Sequence, residues 1–364
     1  MKKLYTLLIA LLAINSVMAQ GCLPEGITFT TQEQIDNFQT NYPGCTEIEG
    51  NVIIRGDNIT NLQGLKKLNT IGGSLRFGIY AGSGNPRLKN IAGLDSLIAL
   101  GGDLAFYNND SLVNFFGLES LKIFSGNIWI HFNNSLKNLD GLSNVTTIGY
   151  YLSIANNSSL TNLSGLENLI SINGDLQIAA NPALIDLSSL INLSLLTGTI
   201  LIYDNLNLES LQGLNTINKD SVDYIQIKNN SKLNECEVEF LCNYLYTGNI
   251  SFEIKDNSIG CNNKLEIEEK CAIGFYEILK NNLIIFPNPS SSRFTIQFSL
   301  EKEEQVKLLV LNNLGQVVAT LANETLSEGQ HELNWNAEEM PAGVYFYNIQ
   351  IGNQAGTGKM VLMK

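Results

Sequence analysis

The sequence contains little of what most enzymes and nucleic-acid-binding proteins need. Only 2 of its 364 residues are histidine, and 22 Lys and Arg stand against 35 Asp and Glu. It has no phosphate-binding loop, no G-x-S-x-G nucleophile motif, no H-E-x-x-H zinc motif and no EF-hand loop. The net charge of −13 is opposite to the basic surface that nucleic acids require. The composition therefore argues against nucleic-acid binding and against the enzymes that these motifs mark.

The two histidines, His131 and His331, lie in different predicted domains, and nothing in their spacing indicates a Ser-His-Asp triad. We therefore expect no enzyme activity, no cofactor and no metal. Paired carboxylates need no local motif, because a fold can bring them together from distant positions. A polysaccharide lyase or glycosidase on a β-helix is therefore the enzyme alternative.

Long hydrophobic runs are also lacking, except at the start of the chain. Lys2 and Lys3 precede the mostly apolar residues 4–17, and Val17-Met18-Ala19 fits a cleavage site. The run is short for a membrane span, so we predict a signal peptide over residues 1–19. Its removal takes away two lysines and changes the net charge from −13 to −15. A retained signal anchor and a lipoprotein signal ending at Cys22 are the alternatives.

Six cysteines follow the predicted cleavage site, and an even number in an exported protein predicts disulfides. They are Cys22, Cys45, Cys236, Cys242, Cys261 and Cys271. Zinc is disfavoured, because no C-x-x-C pair occurs and neither histidine is near a cysteine in sequence. We expect Cys22 and Cys45 to pair, since they bracket a predicted helix over residues 31–41. The last four cysteines allow three connectivities.

The middle of the chain is a repeat with a period of 24 residues. A leucine recurs at that interval at Leu94, Leu118, Leu142, Leu166, Leu190 and Leu214. An earlier copy at Leu65 is separated from the next by 29 residues, because residues 78–84 add a small loop. A fixed period of this length predicts a stack of similar turns.

Each turn contains a short alternating segment in which two apolar residues point inward and the residue between them points outward. The pairs are Val52/Ile54, Leu75/Phe77, Leu104/Phe106, Ile128/Ile130, Leu152/Ile154, Leu176/Ile178, Ile200/Ile202 and Ile225/Ile227. Stacked one per turn, they predict a long parallel sheet that residues 250–254 close. Helices over residues 31–41, with Thr30 or Thr31 as N-cap, and 234–246 are the predicted caps.

Two rows of polar residues recur in step with the turns. The first is Asn109, Asn133, Asn157, Asn181, Asn205 and Asn230. The second is Asn61, Asn90, Asn114, Asn138, Asn162, Asp186 and Ser210. For both rows we predict inward side chains that satisfy buried backbone groups and bond the turns above and below, rather than a ligand site.

These features together resemble the receptor L domain, a right-handed leucine-rich β-helix found in receptors for insulin and epidermal growth factor, and bacterial leucine-rich repeat proteins with the same cysteine-bracketed cap. The resemblance covers residues 20–271 and implies an all-β solenoid with helical disulfide caps at residues 22–45 and 234–271. In receptors such domains bind polypeptides, but fold analogy alone does not define a function.

A different all-β pattern follows a predicted linker over residues 272–283. Residues 293–298 and 306–311 alternate as strands, a turn falls at residues 313–316, and Met340-Pro341-Ala342-Gly343-Val344-Tyr345 comes later. Residues 284–364 resemble the A-type sorting domain of type IX secretion substrates. The matching positions are Pro287, Asn288, Pro289, Gly315, Gly343, Tyr345 and Lys359.

This second resemblance implies an immunoglobulin-like β-sandwich and passage through the outer membrane after Sec export. It also implies removal of the domain, followed by attachment to surface lipopolysaccharide or by release. We therefore expect an extracellular or outer-membrane surface location, with the Sec and type IX machineries as partners. The alternative is an immunoglobulin-like module that itself binds a ligand.

The outward positions of the predicted sheet are rich in aromatic residues. They predict exposed ligand-binding residues at Tyr107, Trp129, His131, Tyr151, Leu201, Tyr203 and Tyr224. Rings on a rigid sheet stack on sugars or anchor a protein partner. The alternative is that strands favour Tyr and Trp without a function, and His131 taken alone is more typical of a solvated strand residue.

Three short Asp-Ser-aliphatic segments match the O-glycosylation pattern of bacteria that use type IX secretion, at Ser96, Ser111 and Ser221. Taken together, the sequence predicts a secreted or surface-displayed, non-catalytic binding or adhesion protein. Its ligand, glycan or protein, is expected on the parallel-sheet face.

Overall fold

The computed structural model describes residues 20–246, 251–271, 283–313, 315–352 and 354–363. The predicted signal peptide, nearly all of the predicted linker, Ile250 and Leu314 lie outside these ranges. The chain divides into two compact units, with the boundary between Asn262 and Asn263, inside the predicted cap over residues 234–271. Within the described ranges, no helix is both long enough and apolar enough to cross a membrane.

The first unit is mostly β. Its strands are β1 (Gln20–Cys22), β2 (Ile27–Phe29), β3 (Cys45–Ile48), β4 (Val52–Ile54), β5 (Thr70–Ile71), β6 (Leu75–Phe77), β7 (Ala99–Leu100), β8 (Leu104–Tyr107), β9 (Ile123–Phe124), β10 (Ile128–His131), β11 (Thr147–Ile148), β12 (Tyr151–Ala155), β13 (Ser171–Ile172), β14 (Asp175–Ala179), β15 (Leu195–Leu196), β16 (Thr199–Tyr203), β17 (Tyr224–Lys228) and β18 (Ser251–Lys255). Its helices are α1 (Gln32–Asp36), α2 (Phe38–Asn41), α3 (Glu239–Tyr246) and 3-10 turns at Gln63–Leu65, Ser188–Leu190 and Lys219–Ser221.

These strands form long parallel sheets, as in a solenoid. Within the described residues, one sheet has ten strands in the order β18-β17-β16-β14-β12-β10-β8-β6-β4-β2. A second has the order β1-β3-β5-β7-β9, and a third the order β11-β13-β15. Strand pairs run parallel throughout, as in the pairing of Ile128 with both Leu104 and Leu152. The predicted long parallel sheet is confirmed, including its closing strand β18, which pairs with β17.

The alternation of apolar residues sets the register of this sheet. All sixteen residues of the predicted inward pairs are buried, and they form two rows of eight side chains that exclude water from the middle of each turn. Phe77 and Phe106 stack with ring centroids 4.7 Å apart, and Phe106 lies 4.2 Å from Phe115. Shifting a strand by one residue would turn these side chains into solvent, so burial holds the register.

A ladder of asparagine side chains runs along one corner of this unit. Asn157 Oδ1 accepts hydrogen bonds from the backbone N and the Nδ2 of Asn133, at 3.0 and 3.2 Å. Asn157 Nδ2 donates to Ile130 O at 2.8 Å and to Asn181 Oδ1 at 3.1 Å. Every predicted member of the first row is fully buried, and Asn85 and Asn257 extend the ladder at its two ends. The predicted role of this row is confirmed.

The second polar row differs from its prediction. Asn162 Oδ1 accepts from Ser164 N at 3.0 Å, a bond to the residue two positions later. The same local bond forms in every other member of the row, at Asn61, Asn90, Asn114, Asn138, Asp186 and Ser210. These side chains close turns at the surface and do not bridge successive turns. Short polar side chains favour such local bonds wherever the backbone turns.

The N-terminal cap begins at the predicted residue. Thr31 is the N-cap of α1, and its side chain and that of Gln34 form a capping box. The predicted single helix is divided at Asn37 into α1 and α2. Cys22 and Cys45 are disulfide-bonded across this cap, which confirms the predicted pair.

The C-terminal cap begins later than predicted. α3 starts at Glu239, because Glu235 still belongs to the repeat: its N–H donates to Glu209 O at 3.0 Å. Of the three connectivities left open, the structure contains the disulfide between Cys236 and Cys261. Cys242 and Cys271 are also disulfide-bonded, and the described chain has no free cysteine.

The second unit contains residues 264–271, which are helical, and an antiparallel β-sandwich. Its strands are β19 (Leu283–Phe286), β20 (Arg293–Leu300), β21 (Glu304–Leu311), β22 (Val317–Leu326), β23 (Gly329–Asn336), β24 (Gly343–Ile351) and β25 (Gln354–Leu362). They form two sheets, in the orders β19-β20-β23 and β22-β21-β24-β25. Phe294, Ile296 and Val310 are among the fully buried residues between them.

Candidate functional site

The outer face is the side of the ten-stranded sheet that points away from the core. In β10, Ile128 and Ile130 are fully buried, so Trp129 and His131 point to the outer face. Trp129 pairs with Ala105 of β8 and with Ser153 of β12. The same alternation brings all seven predicted ligand-binding residues to the outer face: Tyr107, Trp129, His131, Tyr151, Leu201, Tyr203 and Tyr224.

Three of these rings form a straight row, which we call the aromatic diagonal: Tyr107, Trp129 and Tyr151. Tyr107 pairs with His131, two residues after Trp129. Trp129 in turn pairs with Ser153, two residues after Tyr151. Each step therefore crosses one strand and moves two residues along it, a distance of about 8 Å between Cα atoms. The row runs obliquely over β8, β10 and β12.

The rings of the diagonal are more buried than predicted. Tyr107, Trp129 and Tyr151 are all partly buried, as are Tyr203 and Tyr224. Neighbouring strands are only about 4.8 Å apart, so side chains on adjacent strands cover each other's flanks. The most exposed rings of the first unit lie outside the strands, and they include Tyr80, Phe116 and Tyr150. The rings of the diagonal are therefore partly covered by neighbouring side chains and do not protrude fully into solvent.

A chain of hydrogen bonds crosses four strands of the outer face. His131 Nε2 lies 2.7 Å from Ser153 Oγ, which donates to Gln177 Oε1 at 2.9 Å. Tyr151 Oη donates to the same Oε1 at 2.6 Å, and Gln177 Nε2 donates to Tyr203 Oη at 2.5 Å. Since the only proton of Ser153 is used on Gln177, His131 carries its proton on Nε2. We call these five residues the polar network.

His131 is not the solvated residue that the sequence predicted. It is only 9% exposed, and burial lowers its pKa from 6.5 to about 4. Tyr80 lies over it, with ring centroids 5.7 Å apart, and Tyr107 lies at the same distance on another side. The imidazole is therefore neutral near pH 7, and it contributes to the outer face as a hydrogen-bonding group without charge.

Tyr80 is a residue of this surface that the sequence analysis missed. It comes from the loop of residues 78–84, whose backbone is held by Asn108: Asn108 Nδ2 donates to Ile79 O at 3.0 Å. The Tyr80 ring meets that of Tyr107 edge-on at 5.7 Å, and it remains 60% exposed. The 29-residue interval in the repeat signalled that a loop was present, but not where its ring would lie.

Charged groups of the outer face lie toward its two ends. At one end, Arg76 Nη2 lies 3.9 Å from Asp103 Oδ2. At the other end, Glu253 lies 2.6 Å from Lys255 and 3.6 Å from Lys228, and the hydrogen bond from Lys255 lowers the pKa of Glu253.

The middle of the outer face is nearly free of charge. Across β8, β10, β12, β14 and β16, Asp175 is the one ionisable acid or base among the outward residues that the structure describes, apart from neutral His131. The tyrosines are neutral as well: burial raises the pKa of Tyr107 to about 12, and burial and Asp175 raise that of Tyr151.

Carboxylates of the outer face are too far apart for the two-carboxylate chemistry of glycosidases. Asp103, Asp175 and Glu253 are successive acids across the sheet, and each neighbouring pair is separated by three strand spacings, or about 14 Å. Glycosidase pairs need about 5–10 Å. In the described chain, the residues grouped closely enough to hold a metal are Cys236, Glu237 and Cys261, and that disulfide removes both thiolates as ligands.

The three predicted glycosylation serines lie in different surroundings. Ser96 is exposed. Ser111 Oγ donates to Pro86 O at 2.5 Å, and Ser221 Oγ donates to Asn218 O at 2.7 Å. A glycan on Ser111 would replace a hydrogen bond to the preceding turn of the repeat, and a glycan on Ser221 would replace one that closes a local turn, so Ser96 is the most accessible of the three.

In the second unit, the two ends of the predicted sorting motif meet. Asn288 Nδ2 donates to Lys359 O at 2.8 Å, and its Oδ1 accepts from Val361 N at 2.9 Å. Asn288 lies between Pro287 and Pro289, each of which follows a cis peptide bond. The Asn288 side chain thus joins the first strand segment of the sandwich to its last strand, β25.

Other motif residues hold turns and the core. Tyr345 is buried, its ring lies 5.0 Å from that of Trp335, and its Oη donates to Pro341 O at 2.8 Å. Gly315 has a φ of +77°, which side chains rarely adopt. Gly343 opens β24, where an added Cβ would meet no atom within 4 Å, and the Lys359 side chain is exposed.

Residues 284–363 match the secretion system C-terminal sorting domain. The predicted sorting domain is confirmed by this match, so the second unit directs type IX secretion and the chain is carried to the cell surface or outside the cell. The secretion machinery is accordingly a partner of the sorting domain. No curated protein matches the chain.

Proposed function

We propose that this chain is a secreted or surface-displayed binding or adhesion protein, without enzyme activity, that holds a glycan or a protein on the outer face. The observation that carries the proposal is the aromatic diagonal on a long parallel sheet, in a chain that has a sorting domain. Aromatic side chains contribute a large share of binding energy per residue at interfaces, and a rigid support lowers the entropy lost on binding.

We interpret the first unit as a receptor L-domain-like, right-handed leucine-rich β-helix with 24-residue turns. The pairing of Ile128 with Leu152, 24 positions later, supports this turn length. The disulfides Cys22–Cys45 and Cys236–Cys261 at its ends support the cysteine-bracketed caps. The sandwich is interpreted as immunoglobulin-like, and we propose that residues 1–19 direct Sec export before type IX secretion.

The absence of catalysis is supported by the chemistry of the outer face. Its nearest acids are about 14 Å apart, and two of them, Asp103 and Glu253, are paired with basic side chains. The burial of His131 against aromatic rings, with Ser153 as its hydrogen-bond partner, leaves it poorly suited to take a proton from a substrate. A carbohydrate-active enzyme remains the second candidate, and no contact on the outer face favours it.

The test is binding of the purified full chain to an array of glycans and extracellular proteins, compared with Trp129→Ala. We expect binding that this variant weakens by ~2 kcal/mol or more, the scale of a hot-spot residue. Phe116→Ala is the matched control, since this ring is exposed but lies outside the ten-stranded sheet, and it should bind as the wild type does. Equal binding by wild type and Trp129→Ala would contradict the proposal.

A further inference from the structure

The aromatic diagonal has the shape of a track for an extended chain. The Cα atoms of its three residues are spaced by about 8 Å and lie on one line over neighbouring strands. Because the strands are held by the sheet and by the fully buried residues beneath it, the spacing of the rings is constant. A row of supported rings offers successive stacking positions to a ligand whose own flat faces repeat along a line.

The polar network lies directly beside this track. Tyr151 belongs to both, and it is joined through Gln177 to Tyr203 two strands further on. A hydroxyl group can donate one hydrogen bond and accept others. Each tyrosine hydroxyl uses part of this capacity within the network, so the rest is available to a ligand. Gln177 holds the two hydroxyls in place, so they need little reorganisation when a ligand arrives.

The charges of the outer face discriminate between classes of ligand. Among the outward residues of β8, β10, β12, β14 and β16 that the structure describes there is no lysine or arginine, and Asp175 is the one acidic residue. Asp103, directly before β8, lies 3.9 Å from Arg76. Acidic polysaccharides need basic side chains to compensate their carboxylates or sulfates, and the chain as a whole carries a net charge of −13. Ligands with hydroxyl groups and no charge meet no such requirement.

We propose that the outer face binds a linear, uncharged oligosaccharide that lies along the aromatic diagonal, with its sugar rings stacked on Tyr107, Trp129 and Tyr151 and its hydroxyls bonded to the polar network. This inference rests on the proposed binding function of the outer face and narrows its ligand to one class. Trp129, at the centre of the diagonal, makes the main stacking contact. Tyr203 provides a hydroxyl beyond the end of the diagonal.

The experiment uses the full chain in a Trp335→Phe background, which leaves Trp129 as the one tryptophan. The probes are linear hexasaccharides of glucose, mannose, galactose and xylose, with hexagalacturonate as an acidic probe of equal length and fibronectin as a protein probe. We expect a neutral hexasaccharide to bind and to change Trp129 fluorescence, while hexagalacturonate and fibronectin do not bind.

Substitutions separate stacking from hydrogen bonding. Trp129→Ala should weaken binding at least about 30-fold, and Trp129→Phe should restore most of it, because a ring returns to the same position. Tyr203→Phe removes one hydroxyl but keeps the ring, and it should weaken binding several-fold. Phe116→Ala should change nothing.

Two results would overturn the inference in different ways. If hexagalacturonate or fibronectin binds in place of the neutral sugars, and Trp129→Ala abolishes that binding, the outer face is a binding surface but the ligand class is wrong. If no neutral hexasaccharide binds, or if its binding is unaffected by Trp129→Ala, the inference fails. The proposed function fails with it only if binding to the array of glycans and proteins is also absent or unaffected by Trp129→Ala.

Discussion

Replacing Asn157 by leucine, its apolar isostere, should destabilise the first unit strongly. In the structure the Asn157 side chain is the acceptor for the backbone N–H of Asn133 and a donor to the carbonyl of Ile130, and the site is fully buried. Leucine fills the same volume but makes neither bond. Each buried polar group left without a partner costs about 1–3 kcal/mol, so two such groups give about 4 kcal/mol.

The matched control is Asn162→Leu, the same substitution in the second polar row. Asn162 bonds only within its own turn and is partly exposed, so water replaces the lost bond and the cost should be about 1 kcal/mol. Urea unfolding of the full chain in the Trp335→Phe background, followed by Trp129 fluorescence, measures both. If both variants lose the same free energy of unfolding, the distinction between the two rows is refuted. A changed slope of this free energy against urea concentration would show that the unfolding transition itself had changed.

Three further predictions concern the caps, the buried histidine and export. Replacing Cys22 and Cys45 together by serine should lower the free energy of unfolding in urea by about 2–5 kcal/mol. Peptide mapping of the non-reduced protein should recover the Cys22–Cys45 and Cys236–Cys261 pairs. Free thiols at these positions would contradict the structure. The pKa of His131, lowered from 6.5 to about 4, should appear in an NMR titration of the ring. Below pH 6.5 the unfolded state binds a proton on this ring that the folded state does not, so the free energy of unfolding should fall by about 3 kcal/mol as the pH drops from 6.5 to about 4. His131→Gln should remove this pH dependence. A ring that titrates near 6.5 in the folded protein would refute the burial argument. Deletion of residues 284–364 should leave the chain in the periplasm of a type IX-competent host. Asn288→Ala should reduce export, because it removes the two side-chain hydrogen bonds from Asn288 to β25. A truncated chain that still reaches the medium or the surface would contradict the sorting role.

Strand positions and the first asparagine row were predictable because both depend on a strict period. Once Leu152 and Ile154 are placed inward, the 24-residue interval places Ile128 and Ile130 beside them, and each turn repeats the constraint. The capping box at Thr31 was predictable for a similar reason, since its two partners are three residues apart.

The predictions were wrong where they depended on contacts between residues that are distant in sequence. Asn162 and Asn157 recur at the same period, and only the structure shows that one bonds within its turn and the other between turns. The burial of His131 depends on Tyr80, which is distant in sequence and lies in an irregular loop. The late start of α3 has a similar cause, because Glu235 is retained by a backbone bond to Glu209.

The asparagine ladder also makes the length of the outer face adjustable. Each asparagine bonds within its own turn and to the turns directly before and after it, so a complete extra turn with its own asparagine would keep the ladder continuous. Inserted between β12 and β14, such a turn would move Tyr203 away from Tyr151 by about 4.8 Å. To keep the Tyr151 hydroxyl bonded, the new turn would need its own glutamine at the position of Gln177. Duplication or loss of a single turn would therefore change the length of the outer face by one strand spacing and leave the remaining turns as they are. In related chains, such changes would fit the outer face to ligands of different length.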